Sequence, residues 1–115
     1  MMDRFTLFPY LLALIFIIAG IIMLVLPPKR INYLYGYRTP LAMKNINNWT
    51  FAQKYSARQM ILGGFFLAVF GAILKFVFKI DDHLNNLVSF LVTVLVIAFV
   101  FFRTEYAIKK FEKSL

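Results

Sequence analysis

Cysteine is absent from the 115-residue chain, and acidic residues are scarce, with five Asp and Glu against 13 Lys and Arg. The absence of cysteine excludes disulfide bonds, thiol catalysis and thiolate metal sites. No acid lies inside the long apolar segments, which disfavours proton-coupled pumps and drug antiporters, because these usually need a carboxylate within the membrane. The single histidine, His83, follows Asp81 and Asp82, and helix capping explains these carboxylates better than a metal site does. The sequence therefore predicts no catalytic set, no metal site and no cofactor, and we expect a protein that is not an enzyme.

Long apolar segments make up most of the remainder, and 62% of all residues are hydrophobic. A soluble domain of this length could not bury so much apolar surface. Three predicted helices, at about residues 5–26, 48–79 and 84–110, contain apolar stretches near the roughly 20 residues that a spanning helix needs. The first stretch is longer than the core of a signal peptide, so we expect it to be retained. These features predict an all-α membrane protein with three transmembrane helices, forming a single transmembrane domain over residues 1–115.

The distribution of positive charge predicts the orientation of these helices. Residues 29–58 carry six Lys and Arg and no acid, and residues 103–115 carry four Lys and Arg against two Glu. Because cytoplasmic loops are enriched in Lys and Arg, we expect both regions in the cytoplasm, with the second helix extended into the cytoplasmic interface. The N-terminus, where Asp3 balances Arg4, would then lie outside. Contact with anionic lipid accounts for the net positive charge, so no nucleic-acid partner is predicted.

The hydrophilic loop at residues 29–47 is the strongest candidate for a specific function. Thr39 followed by Pro40 is typical of a helix start and predicts a short helix at residues 40–44. Arg38 presents a planar fork suited to a carboxylate or phosphate, and free N–H groups at a helix start favour an anion. The loop therefore predicts a site for a partner or an anionic ligand.

Polar residues of the second helix extend this candidate site. Trp49, Gln53 and Ser56 share one helical face, where they could line a polar pocket at the inner membrane surface. An aromatic belt with head-group contacts remains an alternative explanation for the Tyr and Trp residues. The predicted binding motif comprises Asn32, Gly36, Tyr37, Arg38, Thr39, Asn45, Trp49 and Gln53.

Small and polar side chains predict how the helices pack. The small residues recur at every fourth position of the second helix, at Gly64, Ala68 and Ala72. Such stripes let membrane helices approach closely, and this one would serve either a three-helix core or a homo-oligomer face. Ser89 and Thr93 form a second, polar stripe on the third helix. In the tail of that helix, Glu105 and Lys109 are spaced to pair with each other.

The spacing Asn32-x-x-x-Gly36-Tyr37-Arg38-Thr39, followed by Asn45 and then by Trp49 with Ala52, resembles the SdpI family of small bacterial membrane proteins. The resemblance covers the loop and its flanking helices, and it implies a multi-pass protein of the bacterial inner membrane. The namesake of the family is an immunity protein against the sporulation-delaying toxin and holds a cognate repressor at the membrane. The resemblance therefore implies immunity or envelope-stress protection, with membrane lipids and either a peptide toxin or a cytoplasmic regulatory protein as partners. The namesake is longer than this chain and has additional helices.

Two other functions follow from the residues alone. A small membrane transporter or lipid-handling protein, acting as an oligomer, would show a polar cavity reaching the middle of the membrane. A dry core filled by Phe would count against it. An enzyme would need an acid or a nucleophile near Arg38, and residues 29–47 contain no carboxylate.

Overall fold

The computed structural model describes residues 4–115, and the side chains of residues 7–115. It contains three α-helices and, over these residues, no strand: α1 (Arg4–Val25), α2 (Ile46–Phe76) and α3 (Asp82–Ser114). All three are long and apolar enough to cross a membrane. The predicted all-α, multi-pass membrane fold is thus confirmed, whereas its orientation stays a prediction. The charges of Asp3 and Arg4 lie outside the described side chains.

Helices α2 and α3 are longer than the hydrocarbon layer is thick. A chain that crosses lipid must satisfy its backbone hydrogen bonds internally, which favours continuous helices. The 31 residues of α2 and the 33 residues of α3 span about 45–50 Å at the α-helical rise. The hydrocarbon layer is only about 30 Å thick. The excess length lies beside the loop, which joins the end of α1 to the start of α2.

Glycine lets α1 and α2 pack backbone against backbone. A Cβ atom added at Gly64 would stand 2.8 Å from the carbonyl oxygen of Ala13, and one at Gly20 would stand 2.7 Å from that of Ala57. Gly64 therefore faces α1 within the bundle. Ala68, the next member of the predicted small-residue stripe, packs against the buried core. A homo-oligomer through Gly64, Ala68 and Ala72 stays a prediction.

A ladder of buried polar side chains lies between α2 and α3. Asn85 Nδ2 donates to the Gly71 carbonyl at 3.3 Å, and Ser89 Oγ donates to Asn85 Oδ1 at 3.2 Å. Thr93 Oγ1 continues the ladder by donating to the Ser89 carbonyl at 2.7 Å. The predicted Ser89 and Thr93 stripe thus faces the bundle interior, where each polar group has a partner and water is not needed.

Asparagine and aspartate caps set the helix boundaries. Asn45 Oδ1 accepts from the Asn48 N–H at 2.8 Å, so α2 begins at Ile46, two residues before the predicted start. It ends at Phe76 rather than at residue 79. Asp81 caps α3 as the sequence predicted, accepting from the Leu84 N–H at 2.9 Å. The end of α3 lies at Ser114, beyond the predicted residue 110.

The short helix predicted at residues 40–44 is a single turn. Thr39 does cap it, because its Oγ1 accepts from the Ala42 N–H at 3.2 Å and its carbonyl accepts from the Met43 N–H at 2.9 Å. The turn cannot continue, because Asn45 is extended, with φ −158° and ψ 171°. Asn45 takes the extended conformation because it caps α2, and this conformation ends the short turn at residues 40–44.

Candidate functional site

The loop folds back over the end of the helix bundle, and its first attachment is Trp49. This side chain is fully buried, and its Nε1 donates to the Pro28 carbonyl at 2.6 Å. Burying an indole fills a large volume, and its N–H then needs a partner. Trp49 thereby fixes the loop where it leaves α1.

Asn32 and Tyr35 shape the next part of the loop. Asn32 Oδ1 accepts from the N–H groups of Leu34 and Tyr35 at 2.9 and 2.8 Å, and its Nδ2 donates to the Arg30 carbonyl. Such side-chain bonds replace a regular backbone turn. The Tyr35 hydroxyl donates to the Leu26 carbonyl at 2.8 Å. Asn32 is therefore a structural residue of the loop.

Gln53 clamps the loop through the backbone of Tyr37. Its Oε1 accepts from the Tyr37 N–H at 2.7 Å, and its Nε2 donates to the Tyr37 carbonyl at 2.8 Å. Only 1% of Gln53 is exposed. Gly36 adopts φ 108° beside this clamp, and a Cβ there would stand 2.5 Å from Gln53 Oε1. Glycine is needed because it alone readily takes this conformation and leaves room for the amide.

Glu105 of α3 holds the loop from the opposite side. Its Oε2 accepts from the Tyr37 hydroxyl at 3.0 Å and from Thr39 Oγ1 at 2.9 Å. The Tyr37 hydroxyl also lies 3.2 Å from the Phe101 carbonyl. Burial, together with the charge of Glu105, raises the pKa of the Tyr37 phenol, so the phenol stays protonated and acts as the donor. The motif loop is thus attached to both α2 and α3.

The contact of Glu105 with the loop differs from two predictions, the pairing of Glu105 with Lys109 and the absence of an acid near Arg38. Within residues 7–115 Glu105 forms no ion pair with Lys109, because the two hydroxyls of the loop take its carboxylate instead. The loop itself contains no acid, yet the tertiary structure brings one against the residues flanking Arg38. One sequence signal could have identified Glu105. It lies just after the apolar run of α3, at the same end of the bundle as the loop, and the loop contains hydroxyl donors but no Asp or Glu.

The second half of the loop is attached through Asn48 and Lys44. Asn48 Nδ2 donates to the Leu41 carbonyl at 3.1 Å, from a fully buried side chain. Lys44 Nζ pairs with Glu112 at 2.8 Å on the exposed surface. Asn45, which caps α2, belongs to the same group of attachments. Its role in the motif is therefore to start the helix that carries Trp49.

Trp49 and Gln53 lie beneath the loop, whereas Ser56 lines a groove of about 410 Å³ together with loop residues 35–37. All three side chains are buried. Arg38 is one of several loop residues that stay exposed, and within the described residues it has no hydrogen bond or ion pair. Leu34, at the tip of the loop, is 92% exposed. The site is therefore a fastened loop, attached to both α2 and α3, that presents a cation four positions after an exposed apolar side chain.

Replacing Glu105 with alanine tests the α3 attachment. We expect the loop to open more often, because the Tyr37 and Thr39 hydroxyls lose a charged acceptor worth about 1–3 kcal/mol. The measurement is the rate of tryptic cleavage after Arg38 in detergent-solubilised protein. Lys109→Ala is the control, since it changes an exposed charged residue one turn further along the same helix that forms no hydrogen bond or ion pair within the described residues. Equal cleavage rates in the two variants would contradict this role for Glu105.

Over the described residues, no group of three or more His, Asp or Glu side chains is placed to hold a metal ion. The chemistry of the site consists of the hydrogen bonds that attach the loop to α2 and α3 and of the exposed guanidinium of Arg38.

Comparisons with known proteins identify the family of this chain. Over 58 residues the chain is 48% identical to the uncharacterized protein YfhL of Bacillus subtilis (strain 168), an alignment that covers 50% of this chain and 53% of YfhL. The chain thus spans about half the length of this relative. No solved structure matches the present chain. Residues 29–103, which contain the fastened loop, all of α2 and most of α3, match the SdpI/YfhL protein family, and the chain belongs to that family.

Proposed function

We propose that this SdpI-like membrane protein confers immunity to a peptide toxin, or protects the cell envelope, from the bacterial inner membrane. The fastened loop engages a partner through Arg38. The proposal rests on the difference between Arg38, which is exposed, and its two neighbours, which are bonded to α3. Tyr37 and Thr39 are bonded to Glu105, whereas Arg38 between them is exposed and has no partner within the described residues. A rigid loop that holds a guanidinium outward reduces the entropy cost of binding.

Charge supports a cytoplasmic position for this loop. The end of the bundle that contains the loop, the start of α2 and the end of α3 carries ten Lys and Arg, against Glu105 and Glu112. Such an excess is typical of the cytoplasmic side. A partner at Arg38 is therefore a cytoplasmic protein or peptide segment, and a regulatory protein fits this position.

The chemistry of the exposed groups describes the partner. Tyr33 and Leu34 are 81% and 92% exposed, and they lie a few residues from Arg38 along the same loop. Arginine binds carboxylates through paired hydrogen bonds, while exposed apolar side chains favour a partner with an apolar patch. We infer an acidic segment flanked by apolar residues.

A non-enzymatic role is part of this proposal. Glu105 is the acid that the fold brings near Arg38, and its Oε2 already accepts two hydrogen bonds from the loop. Both hydrogen bonds hold the loop in place, so this carboxylate oxygen is used for structure. A general acid or base would instead need to contact a reacting group of a substrate.

The alternative of a transporter or lipid-handling protein acting as an oligomer has less support from the helix interface. A groove of about 770 Å³ lies between α2 and α3 and is lined mainly by apolar side chains such as Phe66 and Phe99. The buried polar side chains Asn85, Ser89 and Thr93 are bonded to one another and to α2. This arrangement favours helix packing over a polar path.

Arg38→Ala is expected to abolish protection while leaving insertion and folding intact, because the guanidinium supports no contact within the described residues. The measurement is survival of a sensitive bacterial strain that expresses the protein and is challenged with the sporulation-delaying toxin, with membrane levels checked by immunoblot. Arg58→Ala is the matched control, since Arg58 is also exposed and lies outside the loop. Full protection by Arg38→Ala at normal membrane levels would refute the binding role. Loss of protection in both variants alike would point to total charge instead.

A further inference from the structure

Two grooves between α2 and α3 meet at Arg103. The larger, about 770 Å³, is lined by apolar side chains that include Phe66, Phe70 and Phe99, and has Gln59 and Arg103 at one end. The smaller, about 470 Å³, lies next to it and is lined in part by Tyr55, Tyr106 and Lys110, again with Arg103. The two grooves therefore form one surface with an apolar part and a cationic, aromatic part.

The sequence places this change in character at the membrane boundary. Residues 84–102 of α3 contain no charge, and Arg103 is the first charged residue after them. Lys110 follows seven residues later, which is two helical turns along the same face. The apolar groove thus lies at the depth of the acyl chains, and the cationic groove lies at the depth of the head groups. Tyr106 stands at the level where aromatic rings collect in membrane proteins.

No acid neutralises the cations of this surface. Neither groove is lined by Asp or Glu. The two acids of this helix end are engaged elsewhere, Glu105 by the loop and Glu112 by Lys44. Within the described residues Arg103 makes no hydrogen bond or ion pair. The guanidinium therefore has room for an anionic ligand.

We propose that this surface is a binding site for one phospholipid with a net negative head group. One acyl chain lies along Phe66, Phe70 and Phe99. The phosphate accepts paired hydrogen bonds from Arg103, which suit the guanidinium fork, and the rest of the head group reaches toward Lys110. The complementarity is both apolar and electrostatic, and the site lies on the α2–α3 face, separate from the role proposed for Arg38.

Native mass spectrometry of the full-length protein in detergent tests this site. The probes are phosphatidylglycerol and phosphatidylcholine, which share acyl chains and differ in net head-group charge. We expect one phosphatidylglycerol to be retained in preference to phosphatidylcholine. Arg103→Gln should weaken its retention by about tenfold, the loss expected for one charge-assisted phosphate contact. Arg58→Gln, which removes an exposed arginine that lines neither groove, should leave retention unchanged.

A second variant tests the apolar part. Leu95 lines the larger groove and is 67% exposed, so Leu95→Trp fills the groove from a position that is not packed inside the bundle. We expect loss of bound lipid with unchanged helix content by circular dichroism. Equal retention of the two lipids, equal losses in Arg103→Gln and Arg58→Gln, or normal retention in Leu95→Trp would each overturn the proposal. Because lipid retention is measured on purified protein, its failure would leave the toxin assay of Arg38 unaffected.

Discussion

Replacing Gln53 with leucine is expected to release the loop from the bundle and to accelerate tryptic cleavage after Arg38 by about tenfold or more. The Gln53 amide is the partner of both the N–H and the carbonyl of Tyr37. Leucine keeps a similar volume but leaves these two backbone groups without a partner. An unsatisfied buried polar group costs about 1–3 kcal/mol, so the closed loop loses much of its advantage over open forms. Cleavage kinetics in detergent, read by mass spectrometry, measure the open population directly.

Gln59→Leu provides the control for this prediction. It makes the same chemical change on the same helix, and within the described residues Gln59 forms no hydrogen bond with the loop. We expect it to leave cleavage after Arg38 near the wild-type rate. If Gln53→Leu were as resistant to trypsin as the wild-type protein, the clamp could not be what holds the loop closed.

The second large effect is expected where α1 and α2 touch. Gly64→Ala should destabilise the bundle by about 1–3 kcal/mol, the usual cost of overpacking, although alanine is the better helix former. The added methyl group would stand 2.8 Å from the Ala13 carbonyl oxygen. A backbone atom cannot rotate away, so the two helices must separate and lose the contacts around them. Thermal unfolding in detergent, followed by circular dichroism, measures the change.

Gly63→Ala is the matched comparison for Gly64→Ala. The two glycines are adjacent, so helix propensity changes equally in both variants. At Gly63 the nearest atom to an added Cβ is Cγ1 of Val96, a side-chain methyl group, which can be displaced without moving a helix. We therefore expect the smaller loss of stability at Gly63. A larger loss at Gly63 than at Gly64 would show that α1–α2 backbone contact does not limit stability.

Several elements of the fold could be predicted from local sequence because a lipid environment restricts which backbone structures are stable. An apolar run long enough to span the membrane must form a helix, since its backbone has no water to bond with. The caps are also local, as Asp81 and its N–H partner at Leu84 show. The start of α2 differs from the predicted one because Asn45 and Asn48 are both good caps, and only the structure shows that Asn45 is the one used.

The attachments of the loop were beyond sequence reasoning because they join distant residues. Tyr37 meets Gln53 across 16 positions and Glu105 across 68. No periodicity links such pairs, and Glu105 has a nearer apparent partner in Lys109. The helical spacing places Trp49 and Gln53 on one face of α2, but it cannot show that the loop lies over them.

The sequence by itself determined the class of this protein: three membrane helices, a basic end, and the spacing from Asn32 to Trp49 that resembles the SdpI family. These follow from composition and short-range pattern, which fix how the chain meets lipid and water. Only the tertiary structure decided which motif residues hold the loop and which are presented. Tyr37 and Thr39 are bonded to a carboxylate of α3, and Arg38 between them is left exposed. The reason is that a hydrogen bond across the bundle depends on where the helices place their side chains, which no segment specifies alone.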